Sequence, residues 1–253
     1  KILSLPASKI GDRGGYTDSN KWYRVGGSLY NYMLADYAGV NEHGEALYWV
    51  DASMVDPNGT VNTDRPSKNR DYTTTNMNNA SLYEQGSSMP DAFGGFSTTF
   101  SAYGFDVSAS FDYQIGGHIY DYGYQSLMGN ISGAGSASNA IHVDLLKAWT
   151  PNNTSSDIPR ATYMDQYTTA RSNRWLTNAS YLNFQSFTVG YTLPKRWTSH
   201  LGVDKLRLYA SGQNLCFWSA RKGLDPRYSF GENTSISVYS PMRTIMGGIQ
   251  LTF

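Results

Sequence analysis

The chain has 253 residues, and its 20 Lys and Arg balance 20 Asp and Glu, so it has no basic footprint for nucleic acid. Charged residues reach only 16%, well under the roughly 25% of an ordinary soluble domain, while aromatics reach 14% with 20 Tyr. No run of about 18 apolar residues exists, which excludes a transmembrane helix but leaves a transmembrane β-barrel open, because alternating strands average out in hydropathy.

Taken in chain order, the sequence opens on Lys1 with no initiator Met and no apolar signal stretch, which predicts either a processed leader or a piece of something longer. Two strands are expected near Trp22 to Ala38. The stretch DPNGTVNTD offers Asp56, Asn58, Asn62 and Asp64 as hard oxygen ligands, but its spacing is not that of an EF-hand, so a plain Asn-Gly turn stands beside a calcium loop. The strongest local signal follows. Phe96 to Tyr103 and Phe105 to Gly116 alternate with period two, and in the second segment Phe105, Val107, Ala109, Phe111, Tyr113 and Ile115 are separated by Asp106, Ser108, Ser110, Asp112 and Gln114. Tyr103-Gly104 joins them as a tight hairpin.

Gly117 to Ser180 has a loop composition rich in Asn, Ser, Gly and Tyr, with one short helix expected at Ile141 to Trp149, capped by Ser138 or Asn139 and closed by Thr150-Pro151. In YLNFQSFTVGYTLP, Phe187, Val189, Tyr191 and Leu193 share a phase that Leu182 and Phe184 break, which predicts a bulge. KLRLYASGQN places Leu206, Leu208, Ala210 and Gly212 on one face. After a long connection from Leu215 to Pro241, the last strand alternates Ile245, Gly247, Ile249, Leu251 and Phe253 against Thr244, Met246, Gly248, Gln250 and Thr252.

Connections between these strands alternate short and long, as in an antiparallel transmembrane β-barrel with short periplasmic turns and long extracellular loops. A periplasmic C-terminus then puts both long connections outside the cell. Phe105, Val107, Ala109, Phe111, Ile245, Ile249, Leu251 and Phe253 are expected to face lipid, and Asp106, Ser108, Ser110, Asp112, Gln250 and Thr252 the lumen.

Little in the sequence looks like reaction chemistry. The four His (43, 118, 142 and 200) form no metal or protease spacing and read as loop or rim residues. Cys216 is alone, so a disulfide and a structural zinc site are both out. No GxSxG elbow occurs, and Gly133-Ala134-Gly135 lacks what a phosphate loop needs. Triplets such as Asn178-Ala179-Ser180 and Asn233-Thr234-Ser235 are expected by chance in so Asn- and Thr-rich a chain. No catalytic residue, metal or cofactor is expected. The feature above background is the loop aromatics, Tyr120, Tyr122, Tyr124, Trp149, Trp175, Trp218 and Tyr228, with Arg160, Arg174, Arg221 and Arg227 near them in sequence. They either hold a sugar or peptide ligand, or anchor loops and form a barrel girdle.

RWLTNASYLNFQSFTVGYTLPKRW from Arg174, LGVDKLRLYASGQNL from Leu201, the KGLDPR box from Lys222 to Arg227 and the closing SPMRTIMGGIQLTF resemble the SusC/RagA family of TonB-dependent outer-membrane transporters. Upstream, RVGGSLYNYMLADYAGVNEHGEALYW, the Phe96–Gly116 hairpin and LLKAWTPNNTSSDIPR look like the same family in the same order, with a weaker fit from Asp51 to Met89. The resemblance implies an integral outer-membrane barrel of about 22 strands, filled by a plug, energised through TonB and working with a SusD-like surface lipoprotein to import oligosaccharides or peptides. Five firm strands cannot make such a barrel, so the chain is expected to be its C-terminal segment, joined to the missing strands and plug and bathed in outer-membrane lipid. Phe253 would also serve as an assembly signal. Two other classes stay open: a secreted β-sandwich glycan-binding module, whose apolar faces would point inward, and an outer-membrane barrel hydrolase with a Ser/His pair.

Overall fold

The structure is a computed structural model that describes residues 1–10, 13–129, 140–162, 168–228 and 241–253, without the side chains of Leu201 and Tyr228. In chain order it contains α1 (Ala7–Ile10), β1 (Gly15–Asp18), β2 (Lys21–Arg24), β3 (Asn31–Ala35), β4 (Tyr37–Val40), β5 (Ala46–Val50), β6 (Tyr72–Thr74) and β7 (Leu82–Ser87). These are followed by β8 (Ala92–Ala102), β9 (Phe105–Ile115), β10 (His118–Tyr120), α2 (Tyr122–Gly129), β11 (Leu176–Asn178), β12 (Tyr181–Thr192), α3 (Lys195–Thr198), β13 (Lys205–Ser219) and β14 (Thr244–Thr252). The chain divides into two compact units, one of Lys1–Met89, Gly117–Asn178 and Tyr228–Ser237, the other of Pro90–Gly116, Ala179–Arg227 and Val238–Phe253.

The second unit is built on an open antiparallel sheet in the order β14-β13-β12-β9-β8. Its strands are the five that the alternation predicts. Tyr103 (φ 53°) and Gly104 (φ 86°) are both left-handed, as a two-residue hairpin turn requires, and the hairpin registers Ala102 with Phe105 and Ala92 with Ile115. The expected bulge is also there: pairing of β12 shifts between Phe184 and Ser186 against both β9 and β13. By adding Gln185, it returns Leu182 and Phe184 to the face of Phe187, Val189 and Tyr191. Phe184 then stacks on Phe111, with centroids 4.5 Å apart, and Phe111 on Phe96 at 4.9 Å.

One consequence corrects the sequence reading. Pairing continues beyond the bulge, with Phe184 opposite Cys216, Asn183 opposite Phe217, Leu182 opposite Trp218 and Tyr181 opposite Ser219. Trp218 is therefore a strand residue on the apolar face and not a loop aromatic, and the connection begins after Ser219 and not at Leu215.

No apolar side chain of these five strands is buried. Phe96, Phe100, Phe105, Ile115, Leu182, Leu208, Trp218, Ile245, Ile249 and Leu251 all lie on one face and are more than a third exposed. At roughly 1.5–3 kcal/mol for full burial of each, leaving ten half-wet forgoes on the order of 10 kcal/mol. That is as large as the whole net stability of a domain, about 5–15 kcal/mol. A water-soluble sandwich would have covered this face, and a wall in contact with hydrocarbon has no need to.

The first unit is what the loop compositions become. It holds a four-stranded sheet β1-β2-β3-β7, a three-stranded sheet β4-β5-β6 and the pair β10-β11. The strands expected near Trp22 to Ala38 are thus real, but belong to these small sheets and not to the five-stranded one. Its core is aromatic: Tyr32, Leu34, Tyr120, Met128, Leu145, Ala148 and Trp175 form one cluster, and Ala35, Ala46, Tyr48 and Ala80 another. Buried tyrosine hydroxyls stay satisfied. The Tyr32 hydroxyl accepts from Ser88 Oγ at 2.9 Å, and the Tyr83 hydroxyl donates to the Asn69 carbonyl at 2.7 Å.

Asp51 locks the segment after Pro66 onto β5. Its carboxylate accepts from Ser53 N, Ser53 Oγ, Lys68 N and Asn69 N at 2.6–3.0 Å. Burial pushes this carboxyl up, but those hydrogen bonds outweigh burial and hold it well below the usual carboxylate range. Nearby, Asp56 Oδ1 accepts from the amides of Asn58 and Thr60, which is the Asn-Gly turn.

The expected helix at Ile141 to Trp149 is a 3-10 turn over Val143–Lys147, capped by His142 Nδ1 accepting from Asp144 N at 3.1 Å. Ser138 and Asn139 lie outside the described residues. The longer helix α2, which the sequence reading took for loop, starts where Asp121 Oδ1 accepts from Tyr124 N.

Candidate functional site

The polar face of the five-stranded sheet carries Ser97, Thr99 and Ser101 from β8, Asp106, Ser108, Ser110 and Asp112 from β9, and Asn183, Ser186 and Thr188 from β12. From β13 and β14 it takes Arg207, Tyr209, Ser211, Gln213, Gln250 and Thr252. Across it runs a lattice of hydrogen bonds. Ser110 and Ser186 hydroxyls meet at 2.6 Å, and Asn183 Nδ2 donates to Asp112 Oδ1 at 2.7 Å. Arg207 reaches over β12 to grip Asp106 with both nitrogens, Nε to Oδ1 at 2.8 Å and a second, shorter bond to Oδ2. Gly190 makes room for it: a Cβ there would lie 2.5–2.6 Å from Arg207 and Asp106. The sequence reading missed this constellation, although all three residues share the polar phase of three adjacent strands.

At one end of that face the KGLDPR box folds back. Ser219 Oγ donates to the Leu224 carbonyl at 2.6 Å, Leu224 is buried, and Arg227 holds Asp225 at 2.9 and 2.7 Å while lying over the Phe217 ring at 4.6 Å. Arg227 is thus committed to an ion pair and a ring stack. Arg221 Nη1 donates to the Lys222 carbonyl at 3.4 Å.

The remaining aromatic candidates sort by burial. Trp175 is fully buried and Tyr120 nearly so, both in the aromatic core of the first unit. Their faces touch protein, which realises the anchoring alternative and removes them from a ligand's reach in this fold. Tyr124 also anchors: its hydroxyl donates to Asp144 at 3.0 Å and its ring meets Trp175 edge-on at 5.8 Å. Trp149 packs against Gly44, where a Cβ would meet its ring at 2.5 Å, and beside Arg160, which pairs with Glu45 at 3.5 Å. Arg174 lies over Trp175 at 4.6 Å and Tyr37 at 5.1 Å, and burial lowers its pKa. Burial pushes the Tyr37 phenol up to about 12. Tyr122 is the candidate left open, 48% exposed beside a 260 Å³ hollow lined by Gln125, Ser126, Gly129 and Thr169. The side chain of Tyr228 lies outside the described residues, as do Gly133-Ala134-Gly135 and Asn233-Thr234-Ser235. Phe253 follows β14 and is 87% exposed.

Among the described residues no three His, Cys, Asp or Glu come close enough to hold a metal, and no helix is long and apolar enough to cross a membrane, which says nothing about strands.

An all-β, antiparallel sheet that is polar on one face, apolar and uncovered on the other, and open at β8 and β14, is built as a segment of barrel wall. Comparison with known proteins agrees. No protein-family model matches the chain. It is 30% identical over 178 residues to the TonB-dependent receptor P3 and 28% over 177 residues to the TonB-dependent receptor P26, both of Formosa agariphila. It is 29% identical over 157 residues to the TonB-dependent receptor SusC of Bacteroides thetaiotaomicron. These alignments cover 66%, 66% and 59% of this chain but only 17%, 17% and 14% of the relatives, so the chain spans a small part of their length. Among solved structures, the RagAB peptide transporter superposes with a TM-score of 0.70 at 24% identity, over 97% of this chain and 24% of that one. The RagAB peptide importer in its open-open state gives 0.74 at 23% identity, over 96% and 25%. Both likenesses establish the fold. The resemblance carried by the sequence is therefore real: the chain is a relative of the TonB-dependent receptors of the SusC and RagA kind.

Proposed function

We propose that the chain is the C-terminal part of the barrel of a TonB-dependent nutrient importer in the bacterial outer membrane. The observation that carries this reading is the two-faced open sheet, whose apolar face suits hydrocarbon and whose polar face suits a lumen. Its free edges, β8 and β14, are completed by upstream strands of the same barrel. Relatives named TonB-dependent receptors support energised uptake, with a plug and TonB contact outside this chain. The first unit, which supplies the long connection Gly117 to Ser180, is the extracellular part and meets a SusD-like lipoprotein, while Pro194 to Asp204 and the C-terminus are periplasmic. Phe253 acts as an assembly signal for barrel insertion.

In this mechanism no bond is broken. A ligand too large for simple diffusion is captured outside and passes along the polar wall when the plug is displaced. An oligosaccharide fits the SusC relationship and a peptide the RagAB likeness. The test is uptake by intact cells of labelled oligosaccharide and peptide pools, with the gene present, deleted, or present while the TonB system is disabled. Uptake of one pool should be lost in both deficient strains. Equal uptake in all three strains overturns the import reading.

A further inference from the structure

Within the first unit, a groove of about 710 Å³ opens between β2, the segment after β5 and β7. Five cations line it, Arg13, Arg24, Arg65, Lys68 and Arg70, against two carboxylates, Asp51 and Glu84. Neither carboxylate is at leisure to neutralise them. Asp51 is buried and its oxygens are filled by the amides and hydroxyl that fold the loop, while Glu84 accepts from Asn31 at 2.6 Å and only distantly from Arg24 at 3.4 Å. Arg70 is held by Asp36 and lies over the Tyr83 ring at 4.9 Å, and Arg13 meets Asp64 at 3.5 Å. Arg65 and Lys68 are exposed, and no carboxylate of the described residues lies within ion-pair distance of either. The Ser67 hydroxyl between them is buried and finds no protein partner. In a chain whose net charge is zero, this is a local excess of positive charge arranged around a hollow of ligand size.

We propose that this groove binds an acidic oligosaccharide, with Arg65 and Lys68 holding its carboxylates. The charge of the lining calls for oxyanions, which Arg takes up as a fork and Lys as a point charge. The neutral part of the lining calls for hydroxyls: Ser53, Ser67 and Asn69 are polar, whereas Trp22, Met54 and Tyr83 are buried and leave no apolar pocket for a peptide side chain. The proposal stands independently of the import reading, since binding is read on the purified protein and import on cells.

The experiment is calorimetric titration of the detergent-purified, full-length protein with tetragalacturonate, with neutral maltotetraose and tetraglutamate as comparisons. Tetragalacturonate should bind saturably, weaken as salt rises, and weaken about tenfold or more in an Arg65→Ala/Lys68→Ala variant. Because neither side chain has a structural partner, that variant should keep its heat-modifiable mobility, and Arg65→Lys should retain part of the affinity. Maltotetraose should not compete. Unchanged affinity in the double variant, or absence of tetragalacturonate binding, overturns the site. Equally tight binding of tetraglutamate overturns the sugar assignment and makes the groove one for acidic peptides.

Discussion

Gly190→Ala offers a direct test of how the polar wall is held together. The missing Cβ of Gly190 would sit 2.5 Å from Arg207 Nη2, 2.6 Å from Arg207 Nε and 2.6 Å from Asp106 Oδ1. Ordinary contact needs nearly an ångström more, so the guanidinium must withdraw and both of its bonds to Asp106 open. Hydrogen bonds to charged groups contribute about 1.5–3 kcal/mol. Against this, Ala in a strand interior is favoured over Gly by about 0.5–1 kcal/mol. The net loss is therefore about 1–2 kcal/mol. With Asp106→Ser and Arg207→Ser already in place there is nothing left to displace, and the same Gly190→Ala change should stabilise by about 0.5–1 kcal/mol. Gly94→Ala is the control, because a Cβ there meets only Tyr113, at 3.2 Å. Urea unfolding of the full-length barrel in lipid vesicles, followed by heat-modifiable electrophoretic mobility, reads all four backgrounds. The same loss in both backgrounds, or a loss no larger than that of Gly94→Ala, refutes the argument that Gly190 exists for the ion pair above it.

The remaining predictions concern the two faces and the aromatic core. Ile249→Arg should cost about 2–4 kcal/mol if Ile249 lies near the bilayer midplane, while Ser108→Arg should be tolerated; equal penalties in the same unfolding assay would reverse the face assignment. Trp175→Ala empties the centre of the first unit and should cost about 3–5 kcal/mol, read as faster proteolysis of the region 117–178, whereas Tyr122→Ala should leave proteolysis unchanged. Asp51 has a depressed folded pKa, so its stabilisation is present in full above the ordinary carboxylate value of about 3.9 and is lost as pH falls from there through the folded value. Cleavage near Pro66 should accordingly accelerate below about pH 4, and in Asp51→Asn it should already be fast at neutral pH; a wild-type rate flat down to pH 3 would contradict the assignment.

The five wall strands were legible in the sequence because period-two alternation is a local property. Once Phe105, Val107 and Ala109 point one way, Asp106 and Ser108 must point the other, whatever the strand pairs with. Even the bulge at Gln185 showed itself, as a break of phase between Phe184 and Phe187. How far the pairing ran did not, because Trp218 joins the sheet only if β12 and β13 stay in register across the irregularity on both strands.

The first unit was opaque for a related reason. β3 is buried on every residue and has no exposed phase to alternate with, and its neighbours are three to six residues long. Their Asn-, Ser- and Tyr-rich composition looks like loop because the tyrosines solve burial with their hydroxyls, each needing a partner far along the chain, such as Ser88 for Tyr32 or Asn69 for Tyr83. Burial of Trp175 and Tyr120, and the gathering of Arg13, Arg24, Arg65, Lys68 and Arg70 around one groove, likewise depend on which distant segments meet. Alternation fixes the direction of a side chain from its nearest neighbours alone, whereas a core or a charged groove is a set of long-range contacts, and those only the folded chain decides.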